Sequence, residues 1–438
     1  MREDRLRTYQ AINFFPPARY FYDSQQHMEA DPLYEVFRRM PKGGVLHMHA
    51  IALTPVEWIM AEAIEREHCY VYWGDEPTFR GQIRFFAPGK ASDGYRLASE
   101  LVEEVPQFEE QWLDLMTLDT GTDGDSVDIW FDFERYFGCV AGFISYQPAY
   151  KAYYRKAYQS LIEDGIQHIE LRMGMGSLYD LKHERGYFSL DSAMTYQQEL
   201  LREIQVEHPE VTLRLIYTSL RRFSPNFIKN DLIRAYELQR KFPDLVGGYD
   251  LVGEEDAGRP TLDFLNIWLM MDSLDQTYGF KMELFLHDGE SNWQSNENLY
   301  DAVLLGSKRI GHGFNLYRFP ALWDSIRQQQ TCIEICPLSN QILGYVRDLR
   351  NHPGLLYLKL GLPVSISSDD PATFGYEGVS PDYWAIFLAW ELDLGQLKQL
   401  VRNSLTYSSL PEEAKTKALQ HWEAEWNQFV NWSNAYMN

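Results

Sequence analysis

The sequence predicts an α/β fold: a (β/α)8 TIM barrel with an N-terminal helical arm, a helical insertion after the first strand and C-terminal helices. Three observations lead there. Eight short apolar segments, rich in β-branched and aliphatic residues, are spread along 438 residues. The stretches between them are mostly longer and mix charges with apolar residues, as crossover helices do. Polar residues gather at the C-terminal ends of several segments, where barrel enzymes carry their chemistry.

The elements follow in order. Residues 1–40 precede the first strand and carry Tyr9, Phe14, Phe15, Tyr20, Phe21 and Tyr22. Such an arm needs apolar cover, from the barrel or from a second subunit in a homodimer. Val45–His49 is the first predicted strand and Ile166–Arg172 the second. The long gap between them demands an insertion, placed at about 74–135. Within it, Asp119–Asp128 has the composition of a calcium loop, with Gly124 at the sixth position. Gly121 at the third position and Trp130 at the twelfth supply no carboxylate ligand, so a solvated loop is expected. Tyr153–Asp164 and Ser192–Val206 read as amphipathic helices. The remaining strands are Val211–Thr218, Leu245–Val252, Met282–His287, Arg309–His312, Cys332–Cys336 and Val364–Ser367. Their near-continuous apolar character suits strands buried on both faces of a parallel sheet. Trp384–Leu405 and Glu412–Met437 read as helices, the latter covered by Trp422, Trp426 and Trp432. The organisation expected is thus an arm over 1–40 and a barrel domain over 41–438, with C-terminal helices from about 384.

Composition narrows the function. Forty Lys and Arg against 63 Asp and Glu give a net charge of −23. A chain this acidic repels nucleic-acid backbones and anionic lipid. No run of ~18 apolar residues predicts a membrane span. No secretory apolar stretch follows Met-Arg-Glu-Asp-Arg-Leu-Arg, and four cysteines are too few for a disulfide framework. Those features predict a cytoplasmic protein acting on a small molecule.

The first strand ends in His47-Met48-His49. Residues i and i+2 of a strand share a face, so both imidazoles converge, as a metal requires. His287-Asp288-Gly289-Glu290, Gly311-His312-Gly313 and Ser367-Ser368-Asp369-Asp370-Pro371 end three further strands. Each cluster has an ordinary reading alone. A His-x-His arises by chance, and Asp-Asp-Pro suits a turn or a helix start. Together, at four strand ends, they predict a mixed nitrogen and oxygen metal site. That donor set suits Zn2+, one per chain, better than iron, cobalt or manganese. There is no His-Glu-x-x-His, phosphate loop, dinucleotide fingerprint or Gly-x-Ser-x-Gly. His208-Pro209-Glu210 lacks the Pro-Cys-x-x-Cys that a cytidine-deaminase site needs, so it reads as chance.

Met40–His49, His287–Glu290, Arg309–Gly313 and Ser367–Pro371 resemble the adenosine deaminase family. Leu251–Asp256, Cys336–Gln341, Asp348–Pro353 and Ile366–Phe374 bring the resemblance closest to its growth-factor-related branch, the adenosine deaminase 2 type. The resemblance implies a zinc-dependent hydrolytic deaminase converting adenosine, or a related 6-aminopurine, to the 6-oxopurine and ammonia. Metal ligands would be His47, His49, His287 and Asp369. Glu290 matches the residue that protonates N1, His312 the one that orients the nucleophile, and Asp370 the one that reads N7. Gly253 matches the glycine whose N–H reaches N3, and Trp130 looks like the insertion's sugar-contacting tryptophan. Glu290 lies three residues past His287, and Gly289 lets the backbone turn, so one segment supplies both a ligand and an acid. Asp288 replaces the family's usual small residue and Ser291 its threonine. The histidine that the branch places after the third strand is missing near Thr218-Ser219-Leu220-Arg221. Two alternatives accompany this reading: the same machinery acting on adenine or an N6-substituted nucleoside, and a weakly active binding or signalling member of the branch.

Overall fold

The computed structural model describes residues 2–118, 129–174 and 176–437. Eight parallel strands carry the site: β1 (Gly43–His49), β2 (Ile166–Gly174), β3 (Thr212–Leu220), β4 (Val246–Val252), β5 (His287–Asp288), β6 (Arg309–His312), β7 (Cys332–Ile335) and β8 (Val364–Ile366). They form two four-stranded sheets, β1-β2-β3-β4 and β5-β6-β7-β8, each in sequence order. The register pairs Ile169 with Val45 and Leu213, and Ile333 with Ile310 and Val364. Both seams between the sheets are bridged in parallel, Tyr249 to Leu284 and Met48 to Asp369. At the second seam, His49 N–H donates to the Asp369 carbonyl at 3.0 Å and Asp369 N–H to the His47 carbonyl at 3.1 Å.

The strand expected over Met282–His287 is short as a ladder because side chains take its backbone groups. Leu286 N–H donates to Ser307 Oγ and His287 N–H to Asp250 Oδ1 (3.2 and 2.9 Å), while Arg172 donates to the Phe285 carbonyl. Pairing resumes at His287, opposite Gly311.

The strands are apolar but not uniformly so. His168, Glu170, Arg172, Asp250, Arg309 and Glu334 are all buried. They are also paired: Arg309 contacts Glu170 at 2.6 Å and also Glu334, and Arg172 contacts Asp250 at 2.9 Å and also Glu334. Burying charge without such partners is too costly to survive folding.

The span between β1 and β2 is mixed rather than wholly helical. Helix Val56–Glu65 leads into a three-stranded antiparallel sheet, with Cys69–Tyr72 between Ile83–Phe85 and Tyr95–Leu97. Cys69 and Val71 face inward while Tyr70 and Tyr72 are half-buried, the period-two pattern of a strand. Helices Ala98–Glu104, Phe108–Met116 and Ile129–Ile144 follow. Asp119–Asp128, read above as a solvated loop, lies outside the described residues. Trp384–Leu405 is two helices, Ser380–Ala389 and Leu394–Thr406. Glu391 adopts a left-handed φ of 50°, and Asp393 begins the second helix in a capping box with Gln396. Glu412–Met437 is one helix.

The arm comprises Arg2–Ala11, Phe21–Glu29 and Pro32–Arg39. Asp31 caps the third helix through Leu33 N–H and accepts from the Tyr9 hydroxyl. Phe21 meets Tyr376 at 5.4 Å between ring centroids and Phe37 meets Phe387 at 5.3 Å, so these rings find cover on their own chain. Among the described residues no helix is long and apolar enough to cross a membrane. The four cysteines are free and buried.

Candidate active site

Three strand ends bring His47, His49, His287 and Asp369 together, with one donor atom of each within 4.8 Å of the others. Asp369 follows β8 at a left-handed φ of 63°, and His312 ends β6 at 61°. Such backbone strain in non-glycine residues persists only where surrounding structure holds it, and it clusters at functional sites. Asp369 Oδ1 stands 3.3 Å from His47 Nε2 and 3.1 Å from His49 Nε2, and the Nε2 atoms of His49 and His287 are 3.3 Å apart.

The next layer decides which nitrogen carries each proton. His47 Nδ1 faces Glu334 Oε2 at 2.9 Å, and His287 Nδ1 faces Asp250 Oδ2 at 2.7 Å. Both carboxylates accept from Nδ1–H, so both Nε2 atoms turn lone pairs inward. Burial holds His49 and His287 below the ordinary histidine range, so both are neutral at pH 7. Lone pairs therefore face one another, and His47 Nε2 and Asp369 Oδ1 are buried without a hydrogen-bond partner. A cation among them resolves that arrangement. The separations of 3.1–3.3 Å equal the roughly 3.3 Å expected between tetrahedral donors about 2.0–2.1 Å from one ion. The four residues fit a divalent metal.

Glu290 lies beside this cradle, with Oε2 3.4 Å from His312 Nε2. Its carboxyl is pushed well above the usual range by burial, then by Asp369 and Glu255. Its backbone is set by Gly289, at φ +82°, where an added Cβ would meet Asn315 Oδ1 at 2.7 Å and Leu299 at 2.8 Å. Glu255 accepts from Gly289 N–H at 3.0 Å, and Asp256 from Ser291 Oγ at 2.7 Å. Asp288 points away from the cradle to Arg221 and Thr261, at 3.3 and 2.7 Å.

His312 is oriented by a directional chain. Gly354 N–H donates to His352 Nδ1 at 2.9 Å, and His352 Nε2–H donates to Asn340 Oδ1 at 3.0 Å. The Asn340 amide then donates to His312 Nδ1 at 3.3 Å. His312 must carry its proton on Nε2, facing Glu290 and Asp369. Burial alone drives His352 down to about 3, so it stays neutral. Ser339 Oγ donates to Asp369 Oδ2 at 2.7 Å.

Asp370 and Gly253 line the same cavity, which holds about 650 Å3. Burial and the adjacent Asp369 raise the Asp370 carboxyl well above the usual range. Trp130 also lines the cavity, but its indole N–H is spent on Tyr345 Oη at 3.2 Å, leaving a ring face for a ligand. His208 lies 44% exposed beside Glu210 and is absent from the cavity lining. Sequence reading named nine candidate residues, of which eight line one cavity and His47 sits buried in the metal cradle. It missed Glu334, Asp250, Asn340 and His352. For Glu334 and Asp250 a signal was present, since a lone Glu or Asp inside an otherwise apolar buried strand requires an interior partner.

Comparison with known proteins follows the same residues. The adenosine deaminase family profile matches residues 109–424. The chain is 34% identical over 427 residues to adenosine deaminase 2 of Dictyostelium discoideum, covering 96% of this chain and 78% of that protein. It is 34% identical over 436 residues to human adenosine deaminase 2, covering 95% and 83%. In fold it resembles the N6-methyl-AMP deaminase of Arabidopsis thaliana, with a TM-score of 0.65 at 15% identity over 89% of this chain and 98% of that one. Identity at this level along nearly the whole chain leaves no room for a coincidence of strand-end motifs: the protein belongs to the adenosine deaminase family, in its adenosine deaminase 2 branch, and is an adenosine deaminase-like aminohydrolase.

Proposed function

We propose that the two sheets form one closed (β/α)8 barrel, and that the enzyme is a zinc-dependent deaminase of adenosine or a close 6-aminopurine relative. One observation carries the reading: a cradle of inward lone pairs stands beside a glutamic acid held protonated by burial. His47, His49, His287 and Asp369 would hold the ion. When bound, zinc lowers the pKa of water to about 7 and so makes a nucleophile available at neutral pH.

The chain's own groups do the rest. Attack at C6 pushes electrons onto N1, and the Glu290 carboxylic acid delivers its proton there. His312, held as the Nε2–H tautomer by Asn340 and His352, orients the attacking oxygen and stabilises the charge that develops. Purine N7 is an acceptor, so the raised, protonated Asp370 donates to it. Gly253 offers its backbone N–H to N3. Water adds at C6 and ammonia leaves, giving the 6-oxopurine. The cavity extends beyond a base alone, which favours a nucleoside over adenine. Ammonia release from a panel of purines and nucleosides, with bound metal measured in the same preparation, tests the reading. Turnover of adenosine with about one zinc per chain is expected, and a zinc-loaded protein inert on every 6-aminopurine overturns it.

A further inference from the structure

A purine nucleoside occupies roughly 250 Å3, toward the small end of ligand cavities, and this cavity holds about 650 Å3. The surplus has a direction. With N1 at Glu290 after β5, N3 at Gly253 after β4 and N7 at Asp370 after β8, N9 points across the ends of β1, β2 and β3. There the lining is mainly apolar, with hydroxyls from Ser145, Ser177 and Thr218: Phe137 and Ile144 lie on one helix, Tyr150 and Tyr154 on the next, and Met173 and Leu178 at and after the end of β2. The tyrosine hydroxyls are already engaged. Gln197 donates to Tyr150 Oη at 2.9 Å, and Tyr150 and Tyr154 hydrogen-bond each other. This branch therefore presents mainly hydrocarbon and ring surface to a ligand.

Nor does it suit an anion. The cations among the described lining residues are Arg172 and Arg222. Arg172 is buried and paired with Asp250 and Glu334, and Arg222 is paired with Glu134 at 2.8 Å. A 5′-phosphate would meet the Glu134 carboxylate with no unpaired arginine to receive it.

We infer that the site takes purine nucleosides bearing an uncharged apolar chain on the sugar's 5′ carbon, of the 5′-alkylthio-5′-deoxyadenosine class, and that this branch holds the chain. The inference rests on the deaminase reading above. The 5′ carbon is the sugar position farthest from the base, so its substituent reaches deepest. The reaction is unchanged: water adds at C6, ammonia departs, and the C–S bond stays intact.

Ammonia release by the zinc-loaded full chain is measured on adenosine, AMP, and the methylthio, propylthio and butylthio analogues. kcat/KM should rise by up to about fourfold for each methylene that becomes fully buried, and AMP should fall at least about tenfold below adenosine. Ala141→Phe, at an exposed helix position that lines the branch, should flatten the alkylthio series. Adenosine turned over with a flat or falling wild-type series overturns this inference alone, whether or not the variant folds. Failure of every substrate overturns the proposed function with it.

Discussion

Glu290 and His312 sit 3.4 Å apart, yet they depend on different supports. Burial and then neighbouring carboxylates push the Glu290 carboxyl well above the usual range, and Glu290→Gln preserves its shape but removes any transferable proton. Zinc content should stay at wild type while turnover falls by two or more decades, as for loss of a general acid. His47→Ala or Asp369→Ala should instead lower metal content, measured by atomic absorption, together with activity. His312 depends on a tautomer. Asn340→Leu removes the donor to His312 Nδ1 and orphans His352 Nε2–H, at a stability cost of about 1–3 kcal/mol. Its kcat should fall roughly tenfold to a hundredfold with KM for adenosine changed less than about threefold, since the purine contacts remain. An equal rise in KM would mean that Asn340 shapes the pocket rather than the histidine. The Asn340 and His352 positions stand within motifs visible in the sequence, but their roles were not legible. A hydrogen-bond chain through three side chains depends on loops whose approach no local pattern specifies.

Elements differ in how plainly the sequence announces them. Strand β1 is legible because an apolar run ends abruptly in His47-Met48-His49, and β6 because Gly311 and Gly313 bracket His312. β5 is less so, since Ser307, Asp250 and Arg172 take backbone groups that a ladder would use. The small sheet around Cys69–Tyr72 escaped notice because its strands run only three or four residues, too short for a period to register. The break after Ala389 hides in an apolar stretch, and only Asp393 with Gln396 marks the restart. Asp393→Ala removes that cap and should cost about 1 kcal/mol in denaturant unfolding without altering kcat. Within the insertion, helix Ile129–Ile144 places Trp130 in the cavity lining. If Trp130 covers the sugar as proposed, Trp130→Ala should raise KM for adenosine far more than KM for adenine. Equal losses for both substrates, or none, would leave Trp130 as packing for Phe133, which it meets at 5.3 Å.

Across the whole molecule, the buried charges in the strands tie stability to pH. Burial would raise the Glu170 carboxyl, but Arg309 and then His168 overcome this and hold it near 2. Its folded value lies below its unfolded one, so its contribution is complete above about 4.5 and disappears as pH falls toward 2. From 4.5 to 2, at 1.36 kcal/mol per pH unit, that is about 3 kcal/mol at most. His352, driven by burial to about 3, is also depressed, so it destabilises the fold as pH falls below about 6.5. Raised carboxyls such as Glu290 and Asp370 act in the opposite sense, so the Glu170 contribution is read as a difference: the denaturant midpoints of chelator-treated wild type and Glu170→Gln should differ most above about pH 4.5 and converge as pH falls toward 2. A difference that does not shrink below pH 4.5 would remove Glu170 from the account. The parallel α/β architecture was legible because its period and spacing recur, and the cradle because its ligands end strands. The ionic ladder was not legible, since the partners lie far apart in sequence, as Glu170 and Arg309 do. The account stands or falls on Glu290 acting as the acid beside the metal cradle. Ammonia release from adenosine by wild type and Glu290→Gln, with zinc quantified in the same samples, measures this directly. About one zinc per chain in both, with turnover lost by at least about a hundredfold in the variant, is the predicted result. A zinc-replete Glu290→Gln enzyme releasing ammonia at the wild-type rate would contradict it.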